Sequence, residues 1–249
     1  MNTVDRFTSR AALYHRYRPD YAPEAIQQII QSTGITPESV IADLGAGTGI
    51  LTRHFLAHAK TVYAVEPNPE MRAYCEQVCS TYPSFVSVPG VVEATTLPEN
   101  SVDLVLIGQA LHWFEPEPTR EELIRILKPG GWLASLFNIG RNKILTEAVG
   151  ELHNEEFGFR HQTEGKPKPK PPEFYYGGSG YRELQFPHIK TQDWEDFFGG
   201  LCSDSHAPER THPLFGKFEI SAKAIFDRFS HESLLVWELI TELRLGQLT

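Results

Sequence analysis

The stretch Ile41–Ile50, IADLGAGTGI, decides how this sequence is interpreted. An apolar run leads into Asp43, and glycines follow at Gly45, Gly47 and Gly49. Glycine within a regular element costs up to about 1 kcal/mol relative to alanine. The spacing therefore predicts a turn after a buried strand, at which a ligand comes close to the main chain.

Strands and helices alternate through the first 138 residues. Asn68 is suited to cap a helix, and the turn Lys128–Gly131 should end another. This alternation favours a parallel sheet covered by helices on both faces, which is the doubly wound α/β fold class. The pattern predicts strands at 39–44, 61–65, 85–88, 102–107 and 132–137, and helices at 22–33, 49–59, 68–80 and 119–127.

Beyond residue 138 the pattern is less regular. The segment 161–181 contains the stiff run Gly165–Pro172 and is expected to be an extended surface loop. A docking peptide for an SH3-type domain is the alternative for this run. The remaining spacing predicts helices at 143–157, 191–199 and 217–229, and strands at 182–189 and 235–245.

Composition narrows the possible partners. The 249 residues carry a formal net charge of −9 and are 41% hydrophobic. An acidic surface argues against nucleic acid as the main partner, because phosphate binding requires a basic face. No run approaches the ~18 apolar residues of a membrane span, and the N-terminus has no apolar signal core. We therefore expect no membrane partner and a cytoplasmic location, and the oligomeric state is left open.

The sequence contains no motif typical of a metal site or of a catalytic thiol. The three cysteines, Cys75, Cys79 and Cys202, form no CxxC pair, and the ten histidines show no HExxH spacing. No GxSxG nucleophile motif is present either. We therefore expect neither a metal site nor a covalent nucleophile.

The glycine loop has the position of a ligand site. Ligands of open α/β sheets bind beyond the carboxyl ends of the strands, where the next helix should also offer main-chain N–H groups. The GxGxG spacing differs from both the dinucleotide motif GxGxxG and the Walker loop. Asp43 would repel a pyrophosphate but suits a cation, and Glu66 at the end of the second strand can accept hydrogen bonds from ribose hydroxyls. These features favour S-adenosylmethionine, which has a ribose, an ammonium and a sulfonium but no phosphate.

A family resemblance is carried by ordered segments. ADLGAGTG (42–49), VYAVEPNPEMR (62–72), GVVEATTLPENSVDLVLIGQALHWF (90–114) and LIRILKPGGWLA (123–134) follow one another after the opening ALYHRYRPDYAPE (12–24). This order resembles the class I S-adenosylmethionine-dependent methyltransferases. The chain is most similar to their small-molecule branch, which includes the trans-aconitate-type enzymes.

The resemblance implies a fold and a cofactor. It covers residues 7 to about 138 and is weak beyond them. The implied fold is a Rossmann-like sheet of seven strands in the order 3-2-1-4-5-7-6, mainly parallel, with strand 7 antiparallel. The implied cofactor is S-adenosylmethionine, which leaves as S-adenosylhomocysteine.

The resemblance also implies cofactor-binding residues. The first two belong to an N-terminal lid, the next five to the loop around the methionine part, and the eighth binds the ribose. The next two flank the adenosine, three more meet the adenine edge, and the last three lie beside the sulfonium. In chain order these residues are Tyr14, Arg18, Asp43, Gly45, Ala46, Gly47, Gly49, Glu66, Pro67, Met71, Val92, Glu93, Ala94, Gly108, Gln109 and Ala110.

Several of these residues have a structural alternative that the sequence leaves open. Asp43 can cap the following turn, Glu66 can be a solvated strand end, and Glu93 can be an ordinary surface charge. Arg18 can pair with a nearby acid, and Met71 has the helical spacing of a core residue.

His112 and Trp113 follow the fourth strand and should face the methyl group. His112 has the chemistry of a general base, which is needed only if the nucleophile carries a proton. A packing role for this pair is an equal alternative. The expected acceptor is a small organic molecule, such as a carboxylic acid or a hydroxyl compound, beneath an aromatic-rich cap.

Domain organisation follows from these assignments. We expect a single domain over 1–249, with an N-terminal lid and helix at 1–33 and a cofactor-binding core at 34–138. A substrate cap that includes strand 6 follows at 139–232, and a closing strand at 233–249. Two other functions remain open, a nicotinamide-dependent oxidoreductase and a non-catalytic S-adenosylmethionine-binding protein.

Overall fold

The computed structural model describes residues 10–152, 170–178 and 180–248. The end of the helix expected at 143–157 and residues 165–169 of the Lys/Pro run lie outside the described residues.

A sheet of seven strands forms the centre of the described chain. Its strand order is β3-β2-β1-β4-β5-β7-β6, as the family resemblance implied. Strands β1 to β5 pair in parallel, whereas β7 runs antiparallel to both β5 and β6. The strands are β1 Val40–Leu44, β2 Thr61–Val65, β3 Phe85–Val88, β4 Val102–Gly108, β5 Leu127–Gly140, β6 Tyr181–Gln192 and β7 Leu235–Gln247.

Eight α-helices lie within the described residues. The predicted cap is confirmed at the third, where Asn68 Oδ1 accepts a hydrogen bond of 2.9 Å from the Met71 N–H. No helix in this part of the chain is both long and apolar enough to cross a bilayer. The helices are α1 Ala11–Tyr17, α2 Pro23–Thr33, α3 Pro69–Cys79, α4 Pro116–Ile126, α5 Lys143–Leu152, α6 Pro172–Tyr176, α7 Trp194–Cys202 and α8 Phe215–Phe229.

The α-helix predicted at 49–59 is wrong. Only a 3₁₀ turn forms there, at Thr52–His54, and the bond from Phe55 N–H to the Thr52 carbonyl closes over three residues. The Thr52 hydroxyl also donates to Asp43 at the end of β1. Because this bond holds the segment against the strand, the apolar residues are buried without a regular helix. The glycine loop therefore does not lead into an α-helix N-terminus.

Two further predictions need correction. Lys128–Gly131 forms a bulge inside β5 rather than a turn outside it, because Val102 pairs with Leu127 and Leu104 with Trp132. The loop predicted at 161–181 contains the helix α6.

Helix α6 is held to the sheet by its tyrosines. Tyr175 and Tyr176 are buried, and the Tyr176 hydroxyl donates to the carbonyl of Arg244 at 2.9 Å. Gly177 ends the helix with a left-handed φ of 76°. Burial of two aromatic rings therefore outweighs the proline-rich local sequence.

Three apolar clusters fill the interior of the described part of the chain. The first packs α2, the 3₁₀ segment and α3 against one face of the sheet, and the second packs α4 and α6 against the other. The third joins α5, α7 and α8 around Phe197, Phe218 and Phe226 and belongs to the cap. The cap thus has a core of its own, beside the carboxyl ends of β1 and β4.

Candidate cofactor and acceptor site

A cavity of about 380 Å³ lies at the carboxyl ends of β1 and β4. This volume falls within the ~300–1,000 Å³ range of small-molecule sites. The loop after β1 forms one wall, and α1, the cap and strands β6 and β7 form the others. The polar and aromatic groups around it include Tyr14, Tyr17, Arg18, Tyr21, Asp43, Gln109, His112, Trp113, Asn138, Lys190, Gln192, Asp204, His206 and Trp237.

The three loop glycines have different surroundings. Gly45, Gly47 and Gly49 all have left-handed φ values, of 72°, 57° and 82°. A Cβ at Gly45 would lie 2.9 Å from the Ala110 Cβ, and one at Gly49 would lie 2.9 Å from the Cys75 Sγ. At Gly47 the nearest atom is the Met71 methyl, at 3.4 Å. The protein's own packing therefore explains Gly45 and Gly49, whereas a Cβ at Gly47 would make only an ordinary contact, and Gly47 lines the cavity.

Asp43 is a buried carboxylate that is only partly satisfied. It is 1% exposed, and its Oδ2 accepts a hydrogen bond of 2.6 Å from the Thr52 hydroxyl. Its Oδ1 is buried and has no hydrogen-bond partner among the described residues. Burial, together with the charge of Glu66, raises the pKa of Asp43 to about 7. Such a group is stabilised by a cation that reaches Oδ1.

Glu66 is fixed by the main chain at the end of β2. Its Oε2 accepts from the Gly47 N–H at 2.9 Å, and its Oε1 accepts from the Asn68 N–H at 2.8 Å. Burial raises the pKa of this carboxyl, while the two hydrogen bonds oppose that shift. Because a carboxylate has about four lone-pair positions, each oxygen can accept one more donor.

Arg18, which follows α1, joins this helix to the loop between α7 and α8. Its Nη2 lies 3.2 Å from Asp204 Oδ2, and its guanidinium stands 5.1 Å above the centre of the Tyr14 ring. Its Nε is buried without a hydrogen-bond partner in the described chain. The acidic partner expected in the alternative interpretation is thus present, and the side chain also lines the cavity.

The structure separates the predicted site residues into two groups. Those that line the cavity are Tyr14, Arg18, Asp43, Gly45, Ala46, Gly47, Gly108 and Gln109, together with His112 and Trp113. Those outside its lining are Gly49, Glu66, Pro67, Met71, Val92, Glu93, Ala94 and Ala110. The cofactor roles of both groups stay predictions.

Glu93 and Met71, which belong to the second group, also have structural contacts. Glu93 Oε1 accepts a hydrogen bond of 2.9 Å from the Glu115 N–H at the start of α4. Met71 is buried, and its methyl group lies over Gly47. The structure therefore gives Glu93 a helix-capping contact and gives Met71 a core position.

His112 lies among aromatic rings. Its centroid is 5.1 Å from that of Trp113 and 6.2 Å from that of Phe137. These contacts suit the packing interpretation of the His112–Trp113 pair, and both residues also line the cavity.

Sequence reasoning missed the cavity residues supplied by the cap and the last strands. Lys190 and Trp237 stand opposite each other on β6 and β7, so both point to the same face of the sheet. The Lys190 ammonium donates to the Tyr17 carbonyl, which ties β6 to α1. Trp237 Nε1 and Gln192 Oε1 are buried without partners among the described residues. The alternation along β7 indicated the buried face but not the cavity.

A family model matches the part of the chain that contains the glycine loop. Residues 42–135 match the model described as a methyltransferase domain. The chain is 39% identical over 149 residues to an uncharacterised methyltransferase of Mycobacterium tuberculosis, and the match covers 58% of each protein. It is 35% identical over 139 residues to an uncharacterised methyltransferase of Schizosaccharomyces pombe, and this match covers 55% of the chain and 54% of the relative. The chain thus spans less than two thirds of the length of either relative.

Structural comparison agrees on the fold. The structure of a "Putative Type II Methyltransferase" from Anaeromyxobacter dehalogenans is 20% identical, with a TM-score of 0.59. The alignment covers 93% of this chain and 98% of that one. Residues 42–135 therefore match a methyltransferase domain, and the sheet has the Rossmann-like methyltransferase fold.

Proposed function

We propose that the chain binds S-adenosylmethionine in this cavity and transfers its methyl group to a small organic acceptor. The observation that carries the proposal is the buried, unpaired Oδ1 of Asp43 in the cavity that Gly47 also lines. A carboxylate with one unpaired oxygen suits an ammonium group and opposes a phosphate.

The residues present fit the parts of this cofactor. Asp43 Oδ1 would accept a hydrogen bond from the ammonium of the methionine part, and Arg18 Nε would donate to its carboxylate. Glu66 has two acceptor positions left for the ribose hydroxyls, next to the loop that it already holds through Gly47. Tyr14, packed against Arg18, would cover the site from the lid.

The chemistry supplied by the cofactor is a methyl carbon activated by a positively charged sulfur. The chain's own residues would align the acceptor with that carbon and keep water away. Phe197 and Leu201 of α7 and Trp237 of β7 suit this role, because their side chains line the cavity. The resemblance to the trans-aconitate-type branch supports a small-molecule acceptor, either a carboxylic acid or a hydroxyl compound.

Two other functions, an oxidoreductase and a non-catalytic binding protein, are the alternatives to methyl transfer. A nicotinamide-dependent oxidoreductase would place a diphosphate near Asp43, where like charges repel. A non-catalytic binding protein would hold S-adenosylmethionine without transferring the methyl group.

Calorimetric titration of the full chain tests the proposal. We expect S-adenosylhomocysteine to bind with a single site per chain and NAD to give no heat of binding. Tight binding of NAD, with none of S-adenosylhomocysteine, would overturn the assignment. A screen with isotopically labelled methyl donor over carboxylic acids, phenols and amines then separates an enzyme from a binding protein.

A further inference from the structure

An imidazole and a carboxylate form a dyad on the cap wall of the cavity. Asp204 and His206 lie in the loop between α7 and α8, and both line the cavity. His206 Nδ1 is 3.0 Å from Asp204 Oδ1, and the His206 main-chain N–H donates to the same oxygen at 2.9 Å. The ring is therefore held by its own carboxylate partner within one short loop.

Two arginines from the N-terminal segment hold this loop in place. Arg10 is 8% exposed, and its guanidinium donates to the carbonyls of Asp204 and Ala207, the latter at 2.6 Å. Arg18 pairs with the other oxygen of the Asp204 carboxylate, at 3.2 Å. These positive charges favour the ionised form of Asp204. The dyad is thus held in place by contacts within the chain itself, as a catalytic group requires.

The hydrogen bond decides which ring nitrogen carries the proton. The Ser205 hydroxyl also lies 3.3 Å from Nδ1, but the shorter contact is with Asp204 Oδ1. Because an ionised carboxylate only accepts, we assign the proton to Nδ1 and the lone pair to Nε2. The His206 side chain is 28% exposed. Within the described residues Nε2 has no hydrogen-bond partner, so it remains available to a ligand in the cavity.

We infer that His206 is the general base of methyl transfer, that Asp204 is its positioning residue, and that the acceptor therefore attacks through an atom that carries a proton. This inference rests on the function proposed above. A hydroxyl or amine acceptor loses its proton to His206 Nε2 as its oxygen or nitrogen bonds to the methyl carbon. The carbon–sulfur bond breaks, and its electron pair stays on the sulfur as a neutral thioether. The imidazolium is stabilised by Asp204 and returns its proton to water.

This assignment narrows the acceptor class. A carboxylate acceptor has no proton to lose and needs no base, so the dyad would serve no purpose in its methylation. The dyad also assigns the base to His206 rather than to His112, which lies among aromatic rings. A general base at His206 and a general base at His112 predict opposite results in the methyl-transfer experiment below.

Nitrogen NMR of the full chain tests the dyad without turnover. In ¹⁵N-histidine-labelled protein at pH 8, we expect His206 to carry its proton on Nδ1, with assignment from His206→Gln. Asp204→Asn should shift the proton toward Nε2, whereas His58→Gln, at an exposed residue outside the cavity, should leave the His206 signals unchanged. An Nε2–H form in the unmodified chain, or signals unaffected by Asp204→Asn, would overturn the dyad.

Labelled-methyl transfer to phenol, aniline and benzoate tests the base. We expect His206→Gln to lower kcat for phenol and aniline by at least about 100-fold with little change in KM, the usual contribution of a general base. His58→Gln should have no effect. Transfer to benzoate that His206→Gln leaves intact, without transfer to phenol or aniline, would overturn the inference, as would a selective loss in His112→Gln.

Binding separates this inference from the proposed function. His206→Gln should bind S-adenosylhomocysteine within twofold of the unmodified chain, because the dyad is assigned to the acceptor. If the unmodified chain binds no S-adenosylhomocysteine, the proposed function fails, while the proton position on His206 still reports on the dyad.

Discussion

Asp43 and Thr52 share a hydrogen bond of 2.6 Å that satisfies one carboxylate oxygen and leaves the other buried and unpaired. A folded protein that keeps such a group gives up stability at that position. A cationic ligand would restore the missing interaction. The relationship therefore links the stability of the free chain to its capacity to bind an ammonium group.

The first prediction concerns Asp43→Asn, which keeps the shape of the side chain and removes its charge. The folded-state pKa of about 7 is above the ordinary 3.8, so the stability of the unmodified chain falls as pH rises between these two values. Ionising such a group costs up to about 4 kcal/mol at higher pH. We expect Asp43→Asn to raise the free energy of unfolding at pH 8 and to change it little near pH 3.5. Urea unfolding at both pH values measures this difference.

The same variant should lose affinity for the cofactor product. Loss of a charge-assisted hydrogen bond should weaken S-adenosylhomocysteine binding by about 1.5–3 kcal/mol. Asp193→Asn is the matched control, since Asp193 caps α7 and asparagine caps equally well. A destabilised Asp43→Asn protein that binds the ligand normally would contradict both expectations.

The second prediction is the pH dependence of binding. Below about pH 7 the free Asp43 is protonated and has no charge to offer an ammonium group. We expect the Kd of S-adenosylhomocysteine to rise by up to about tenfold per pH unit as the pH falls from 7 to 5.5. The dependence should disappear in Asp43→Asn. Calorimetry at matched ionic strength measures both proteins, and a flat profile for the unmodified chain would count against a role for Asp43.

The central sheet was predictable because its strands are buried apolar runs that end at turn residues. Thr61–Val65 and Phe85–Val88 have the bounds that the sequence predicted. The prediction of a helix at 49–59 failed because apolar spacing indicates which residues are buried. It does not reveal the hydrogen bond between Thr52 and Asp43 that ties the segment to β1. Local hydrogen bonds to a neighbouring strand replaced the regular helix there.

The residues on the acceptor side of the cavity could not be predicted from the sequence, for a different reason. Arg18 and Asp204 are separated by 186 positions, and Lys190 reaches the Tyr17 carbonyl across 173. No local pattern brings such residues together, because their contact depends on how the cap docks on the sheet. The loop after β1, by contrast, is specified within ten residues of sequence.

The third prediction compares two glycines with the same backbone conformation. Gly47 and Gly34 have left-handed φ values of 57° and 62°, and a Cβ on Gly34 would have no neighbour within 4 Å. Alanine at either position should therefore cost about 1–2 kcal/mol of unfolding free energy. Only Gly47→Ala should also weaken S-adenosylhomocysteine binding, by at least tenfold, because Gly47 lines the cavity and Gly34 does not. Equal binding by the two variants would mean that no ligand approaches the Gly47 main chain.

The fourth prediction isolates the contact between Glu66 and the ribose. Glu66→Ala removes the acceptor of the Gly47 and Asn68 N–H groups, so some loss of stability is expected whatever the ligand. A thermodynamic cycle separates this structural effect from binding, with S-adenosylhomocysteine and its 2′-deoxy analogue as ligands. In the unmodified chain, loss of the hydroxyl should weaken binding by about 1–3 kcal/mol, whereas Glu66→Ala should bind the two ligands equally. If both proteins lose the same affinity with the deoxy analogue, then Glu66 supports the loop but does not touch the sugar.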